Sequence, residues 1–174
     1  LHILKITPRV HKQEIEKQVS KMLENGIIEP SIPEYISPVL LVPRKSIDNN
    51  KAWRLCTDFR SVNKSLIADK FPLPRIDDIL DQLGRAKWIS VLDLMSGFHQ
   101  IPLDESSQNV TSFSVDSGSY RFTRLPFGLS VSPNSFQRMM SIAFARITPE
   151  KAFLYMDDLI VIDCYEKHHV TNLK

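Results

Sequence analysis

Two adjacent carboxylates, Asp157 and Asp158, lie between short apolar runs at residues 152–154 and 159–162. Apolar runs on either side of a short polar pair predict two strands joined by a tight turn. Neighbouring carboxylates repel each other, and Mg²⁺ suits such a pair because it binds one or two carboxylates together with substrate phosphates. Since aspartates are also common in ordinary turns, the pair alone does not distinguish a metal site from a simple hairpin.

A third carboxylate, Asp93, ends another strand-like apolar run at residues 88–92. An aspartate at the end of a strand often serves only as a cap or a turn former. If Asp93 joins the hairpin acids in space, three carboxylates can hold two divalent ions about 4 Å apart, as in enzymes that displace groups at phosphorus. The hypothesis is then a phosphoryl-transfer site built from Asp93 and the aspartate hairpin.

Composition and charge leave this hypothesis open. The 174 residues suit one ordinary domain or two small subdomains, and 43% of them are hydrophobic, which is enough for a core. Residues 1–75 hold 13 Lys and Arg against 8 Asp and Glu, although the net charge is only +2. A basic front half suits nucleic acid or nucleotide, but an imbalance of this size is also common on solvated surfaces.

Local signals predict an α+β fold, an antiparallel sheet with helices packed on one face. Helices are expected from Thr7-Pro8 to Asn25-Gly26, between Pro74 and Gly84, and from Ser132, which would cap a helix with Pro133 at its first position. The predicted strands are residues 37–43, 53–58, 89–94, 111–115, 120–122 and the two arms of the aspartate hairpin. Cys56 and Cys164 lack CxxC partners and are expected to be free thiols in an intracellular protein.

Five segments stand out in order along the chain: residues 53–64, 71–77, 92–101, 125–129 and 155–158. In this order and at about these spacings they resemble the fingers and palm of a reverse transcriptase, closest to gypsy-type long-terminal-repeat retrotransposons and their retroviral relatives. The resemblance covers nearly the whole chain. It implies mainly fingers in residues 1–87 and mainly palm in residues 88–174. It also implies a fragment of a Pol polyprotein, without the family's thumb, connection and ribonuclease H parts.

The resemblance implies a metal site and its chemistry. Asp93 and Asp157 match the main metal ligands of the family, Asp158 a more peripheral one, and Leu94 a position that ligates metal through its backbone carbonyl. The expected cofactor is a pair of Mg²⁺ ions, for which Mn²⁺ can substitute. The expected reaction is attack of a primer 3′-hydroxyl on the α-phosphate of a deoxynucleoside triphosphate, copied from an RNA or DNA template.

Further positions match substrate contacts of the family. Arg54 matches an arginine that lies against the incoming triphosphate, and Arg44 or Lys45 stands where the family keeps a second phosphate-binding cation. Beside the nucleotide sugar and the template base, the matching residues are Phe98, Phe127 and Gly128. Phe98 would crowd out a 2′-hydroxyl, although a phenylalanine near a strand end is usually core. The matches on the primer and template side are Tyr155, Met156 and Gln137.

Several departures from the family pattern keep a second reading open. Ser130-Val131 stands where relatives carry a basic residue and an amide, and Met95, Asn134-Ser135 and Asp163-Cys164 are also unusual. None of these changes touches the three acids. The alternative to a polymerase core is therefore a non-enzymatic remnant that keeps the fold. An RNA-templated RNA polymerase is a weaker reading because its turn is usually Gly-Asp-Asp. The sequence predicts no membrane segment.

Overall fold

The structure is a computed structural model that describes residues 9–44, 52–67, 69–84, 86–146 and 152–173. Its helices are α1 Arg9–Glu24, α2 Arg60–Asn63, α3 Ile76–Leu83, α4 Glu105–Gln108, α5 Ser132–Ala143 and α6 Glu166–Asn172, with 3₁₀ turns at Gly97–Gln100 and Asn109–Thr111. Its strands are β1 Ile28–Pro30, β2 Val39–Arg44, β3 Ala52–Thr57, β4 Trp88–Asp93, β5 Phe113–Val115, β6 Gly118–Phe122, β7 Ala152–Tyr155 and β8 Asp158–Asp163. None of the described helices is both long enough and apolar enough to pass through a bilayer.

The strands pair antiparallel in the orders β1-β6-β5, β2-β3 and β4-β8-β7. Antiparallel sheets combined with helices confirm the predicted α+β class. The described residues separate into two compact units that interleave along the chain, Leu1–Leu66 with His99–Leu129 and Ile67–Phe98 with Ser130–Lys174. The sequence predicted mainly fingers in residues 1–87 and mainly palm in residues 88–174, and this division stays a prediction.

The first unit contains α1, α2, α4 and the sheets β1-β6-β5 and β2-β3. Helix α1 buries Ile15 and Val19 along the predicted apolar face. It ends as predicted at Gly26, where φ is +62° and the backbone N–H groups of Gly26 and Ile27 donate to the carbonyls of Leu23 and Met22. This pair of hydrogen bonds satisfies backbone carbonyls that would otherwise lack a partner at the end of the helix. The N-terminal cap predicted at Thr7-Pro8 lies outside the described residues.

The second unit contains α3, α5, α6 and the sheet β4-β8-β7. One face of this sheet carries a core of four buried side chains, against which Met140 of α5 and the following Phe144 pack. The four are Ala152, Leu154, Leu159 and Val161. On the same face His169 of α6 contacts Ser90 of β4, with 2.8 Å between Nε2 and Oγ. Helices therefore cover one face of the sheet, as predicted.

Two local predictions in the second unit need correction. Ser132 does not occupy the N-cap position, because α5 already includes it and the N-cap residue is Val131, whose side chain makes no capping hydrogen bond. The buried Ser132 belongs to the first turn. Helix α3 has the predicted bounds, but only Ile79 of its apolar face is buried, and Ile76 and Leu80 are 54% and 56% exposed.

Both cysteines are free thiols, as the sequence predicted.

Candidate active site

Three strands of the second unit present polar side chains in one row at the end of their sheet. In the ladder register Asp93 of β4 lies opposite Asp158 of β8, and Asp158 lies opposite Tyr155 of β7. Directly opposed residues share a face of the sheet, with Cβ atoms about 4.5–5.5 Å apart. Like charges in such a pair repel, so the placement of Asp93 against Asp158 makes sense where a cation can separate them.

A two-residue turn brings the third acid to this row. Met156 and Asp157 connect β7 to β8, and Met156 has φ +52°, a value that few non-glycine residues adopt. Primed two-residue turns require a positive φ at their first central residue because their twist must match that of the strands. The Asp157 carbonyl accepts a hydrogen bond of 2.9 Å from the backbone N–H of Leu94, which follows Asp93. The turn is thereby fastened to the end of β4.

Gln137 of α5 holds the same turn from below. Its Nε2 donates to the carbonyl of Leu154 at 3.2 Å, and its Oε1 accepts from the backbone N–H of Met156 at 3.0 Å. The side chain is only 2% exposed. The sequence predicted a contact with primer or template here, but the structure uses this amide inside the protein, to fix the backbone on both sides of Tyr155. In the sequence Gln137 looks like an ordinary polar residue of a helix, so this role could not be read before its strand partners were known.

No ion pair among the described residues balances the charge of these acids. Oδ1 of Asp157 is buried, and no described residue forms a hydrogen bond with it. Burial first, and then the charges of Asp93 and Asp158, raise the pKa of the Asp157 carboxyl above its usual range. A buried carboxylate oxygen without a partner costs free energy that a bound cation offsets. The donor set of carboxylate oxygens fits Mg²⁺, which prefers oxygen ligands.

The side chains are not yet arranged as a closed metal site. Among the described residues, no three His, Cys, Asp or Glu side chains are placed so that they could hold a metal ion as they stand. The carbonyl of Leu94, the predicted backbone ligand, already accepts a hydrogen bond of 3.1 Å from the N–H of Gly97. A carbonyl oxygen has two lone pairs, so this bond leaves one free. The acids are neighbours, and a bound ion would require their side chains to turn towards it.

Phe98 belongs to the same unit as the acids. It is 7% exposed, and its ring centroid is 4.9 Å from that of the fully buried Phe136 on α5. Phe136 is thus core, as expected. Phe98 packs against this core, so its contact with a nucleotide sugar stays a prediction.

Helix α5 is tied to the segment before α3 by polar contacts. Asn134 donates through Nδ2 to the carbonyl of Phe71 at 2.7 Å. Asp69 accepts hydrogen bonds from Arg138 and, at 3.4 Å, from the hydroxyl of Ser135. Two of the residues that depart from the family pattern, Asn134 and Ser135, therefore have local structural partners that anchor the helix beneath the aspartate turn.

The predicted phosphate-binding arginines lie in the first unit, on the β2-β3 hairpin. Val42 pairs with Arg54 and Arg44 pairs with Ala52, so the two arginines occupy diagonal positions on one face of the hairpin. Diagonal neighbours lie about 7–8 Å apart, within joint reach of one polyphosphate. Arg54 is exposed, and no carboxylate in the described part of the chain forms an ion pair with it. Lys45 lies outside the described residues.

Phe127 and Gly128 also belong to the first unit. Phe127 is exposed and makes an edge contact with His99, at 5.3 Å between ring centroids. Burial lowers the pKa of His99. Gly128 has φ +96°, where a side chain would be strained, and its carbonyl accepts from Nδ2 of Asn63 at 2.9 Å. The left-handed backbone explains the glycine, and an exposed ring beside it leaves a surface open to a ligand.

Asp58 and Arg60 pair with each other. Their Oδ2 and guanidinium nitrogen are 2.6 Å apart, and Asp58 also accepts from the backbone N–H of Arg60. Hydrogen bonding from Arg60 lowers the pKa of the Asp58 carboxyl. Both side chains are therefore occupied locally, and their role is structural.

Comparison with known proteins gives consistent matches. A family model described as reverse transcriptase (RNA-dependent DNA polymerase) matches residues 42–174. The retrovirus-related Pol polyprotein from transposon 412 of Drosophila melanogaster is 65% identical over 169 residues, which are 96% of this chain and 14% of that protein. The Pol polyprotein from transposon gypsy of the same organism is 40% identical over 161 residues, 91% of this chain and 16% of that protein.

Solved structures agree with the sequence matches. The foamy viral protease-reverse transcriptase in complex with an RNA/DNA hybrid superposes with a TM-score of 0.85 at 26% identity, over 97% of this chain and 22% of that chain. The same viral protein in complex with double-stranded DNA gives 0.81 at 26% identity, over 93% and 33% of the two chains. This chain spans less than a fifth of the length of these transposon polyproteins.

Proposed function

Because this chain belongs to the reverse transcriptase (RNA-dependent DNA polymerase) family, we propose that it is the fingers and palm core of an RNA-directed DNA polymerase. It would add deoxynucleotides to a primer 3′-hydroxyl on an RNA or DNA template, as part of a retrotransposon Pol polyprotein. The observation that carries the proposal is the row of acids, in which Asp93 opposes Asp158 and the buried Oδ1 of Asp157 has no hydrogen-bond partner in the described part of the chain.

The proposed reaction is nucleotidyl transfer. The primer 3′-oxygen attacks the α-phosphorus of the deoxynucleoside triphosphate, the new phosphodiester bond forms, and pyrophosphate leaves as its bond to that phosphorus breaks. When bound, two Mg²⁺ ions, or Mn²⁺ in their place, supply the positive charge that acidifies the primer hydroxyl and stabilises the leaving group. Asp93, Asp157 and Asp158 hold these ions, with the Leu94 carbonyl as a further ligand.

Other residues bind and orient the substrates in this proposal. Arg44 and Arg54 bind the triphosphate, because arginine forks match phosphate oxygens and the two share a face of the β2-β3 hairpin. Phe127 and Gly128 lie beside the nucleotide and the template base, and Phe98 limits the space at the sugar. Tyr155 and Met156 lie under the primer end, and Gln137 holds their backbone.

The test is single-nucleotide incorporation by this chain on a primer annealed to an RNA or a DNA template, at low salt. Low salt matters because contacts with the phosphate backbone dominate such binding and weaken as salt rises. We expect incorporation of the complementary deoxynucleotide in Mg²⁺ and none after chelation. A folded protein that incorporates nothing, even with excess enzyme, would favour the second candidate, a non-enzymatic remnant. The Ser130-Val131 departure is the observation behind that candidate.

A further inference from the structure

Gln18 of α1 makes an unusual pair of contacts with the strand that carries Arg54. Its Nε2 donates to the carbonyl of Trp53 at 2.9 Å, and its Oε1 accepts from the backbone N–H of Leu55 at 2.8 Å. The same Nε2 lies 2.6 Å from Oε1 of Glu14, one turn earlier on the helix. One side-chain amide therefore bonds the backbone on both sides of Arg54.

These backbone groups lie on the outer edge of β3. Trp53 and Leu55 alternate with Arg54, whose pairing partner is Val42 of β2. The backbone groups that Gln18 binds therefore point away from β2, where a two-stranded sheet leaves an open edge. The glutamine amide offers one donor and one acceptor at this edge, as a residue of a third strand would.

The contact also fixes the direction of the arginine. Successive side chains of a strand point to opposite faces, so Arg54 faces away from Trp53 and Leu55. The Trp53 ring lies 4.6 Å from the His11 ring of α1, between centroids. Because Gln18 bonds the backbone of Trp53 and Leu55 on either side of it, and the Trp53 ring contacts α1, Arg54 keeps the face of the hairpin that it shares with Arg44.

The same arrangement recurs among the described residues of the other unit. Gln137 bonds the carbonyl of Leu154 and the N–H of Met156, the two residues that flank Tyr155. In both places a helical glutamine brackets one strand residue by hydrogen bonds to its two neighbours. The repetition beside two separate candidate substrate residues argues for a positioning role.

We propose that Gln18 is a positioning residue that holds Arg54 in place to bind the triphosphate of the incoming nucleotide. The inference rests on the proposed function, in which Arg54 contacts that triphosphate. Gln18 touches no substrate itself. It acts through β3. If this strand could shift by about 1 Å, it would carry the guanidinium of Arg54 away from the phosphates.

The test measures binding of Mg²⁺-tripolyphosphate to the full chain by calorimetry, so that no turnover is needed. We expect Gln18→Leu to weaken binding about tenfold, the coupling typical of residues that act together. Gln13→Leu makes the same chemical change at an exposed position of α1 and should bind as the wild type does.

A double-mutant cycle with Arg54→Ala separates positioning from general destabilisation. If Gln18 acts through Arg54, then Gln18→Leu in the Arg54→Ala background should change the affinity by less than about twofold. An equal loss in both backgrounds would overturn the inference, even if melting curves show folded protein. In parallel, amide exchange at Leu55 should accelerate in Gln18→Leu and not in Gln13→Leu.

The possible failures are distinguishable. If Arg54→Ala weakens tripolyphosphate binding while Gln18→Leu binds as tightly as the wild type, the proposed function stands and the role of Gln18 is refuted. If the wild type does not bind tripolyphosphate, or Arg54→Ala changes nothing, the assignment of Arg54 in the proposed function is refuted, and the inference about Gln18 falls with it.

Discussion

Gly97 lies against Asp157, so closely that a Cβ atom on Gly97 would stand 3.2 Å from the buried Oδ1 of that carboxylate. The same Cβ would approach Cζ of the Phe136 ring to 2.9 Å, a distance that real Cβ atoms essentially never show. The absence of a side chain at residue 97 therefore leaves room for both the core ring and the carboxylate oxygen. This glycine serves packing, and no unusual backbone angle demands it.

Gly97→Ala should therefore lower stability and disturb the acid site together. Overpacking of a well-filled core typically costs about 1–3 kcal/mol, and here the ring and the carboxylate must both move. Chemical denaturation measures the first effect, and Mn²⁺ binding followed by electron paramagnetic resonance measures the second. Gly84→Ala is the control, because its Cβ would meet only backbone oxygens at 3.7 Å. Equal behaviour of the two variants would contradict the packing argument.

The acid site should also make the metal-free protein less stable as pH rises. The pKa of Asp157 is raised in the folded state above its ordinary value of 3.8, mainly by burial and then by Asp93 and Asp158. The folded state thus holds this proton more tightly than the unfolded state, and stability falls as pH climbs from the ordinary value through the raised one. Above the raised pKa the full cost of the ionised carboxylate is present.

Asp157→Asn should consequently raise the melting temperature at neutral pH without metal, and the gain should shrink as pH falls towards 4, near the ordinary value. Asp58→Asn gives the opposite control. Hydrogen bonding from Arg60 lowers the pKa of Asp58. Removing this carboxylate should therefore lower the stability of the protein at neutral pH and have a smaller effect in acid. Melting curves across the pH range, with chelator present, measure both. An Asp157→Asn variant that melts below the wild type at neutral pH would contradict the prediction.

The choice between ribonucleotides and deoxynucleotides tests the predicted role of Phe98. If its ring crowds the 2′ position, Phe98→Val should raise ribonucleotide use relative to deoxynucleotide use by at least about tenfold, since misplacement by about 1 Å can cost roughly 100-fold in rate. Because Phe98 also packs on Phe136, the variant should lose stability as well. Single-nucleotide incorporation of both sugars, beside a melting curve, measures the two effects.

Phe144→Val provides the matched control for that experiment. Phe144 follows α5 and packs on the core of the β4-β8-β7 sheet, so its truncation should also reduce stability. It should leave the ratio of the two sugars unchanged. If Phe98→Val shows the same unchanged ratio in a folded protein, Phe98 is core only.

The sequence was most informative where local pattern and structure use the same residues. Apolar runs on either side of the two aspartates predicted the β7-β8 hairpin, and the run before Asp93 predicted β4. The three acids meet because β4 pairs with β8, a register that the hydrophobic pattern favours but does not state. The end of α1 near Gly26 could be predicted because the residue that follows a helix often adopts the left-handed conformation, and glycine is the usual residue there.

Other features depend on tertiary contacts and leave little local trace. Strand β1 is only three residues long, too short for an alternation of apolar and polar residues to be recognised. It forms because Ile28 to Pro30 pair with β6. The amides of Gln18 and Gln137 look like ordinary helical polar residues until their strand partners are known. Ser132 has the composition of a cap, yet α5 includes it and Val131 occupies the N-cap position. For β1 and the two glutamines, a distant partner decides the structure.

The central claim is that Asp93 and its neighbours hold the divalent ions for nucleotidyl transfer, and Asp93→Asn tests it most directly. The control is Asp81→Asn, which removes the same charge from an exposed position of α3 in the same unit. Both variants are compared with the wild type in single-nucleotide incorporation on a primer-template, and in the melting shift that Mg²⁺ produces. Ligand that binds only the folded state raises the melting temperature.

We expect Asp93→Asn to lose nearly all Mg²⁺-dependent incorporation, by at least about 100-fold as for other groups that stabilise the transition state, and to lose the melting shift while remaining folded. Asp81→Asn should match the wild type in both measurements. Wild-type-like incorporation by a folded Asp93→Asn variant would contradict the account.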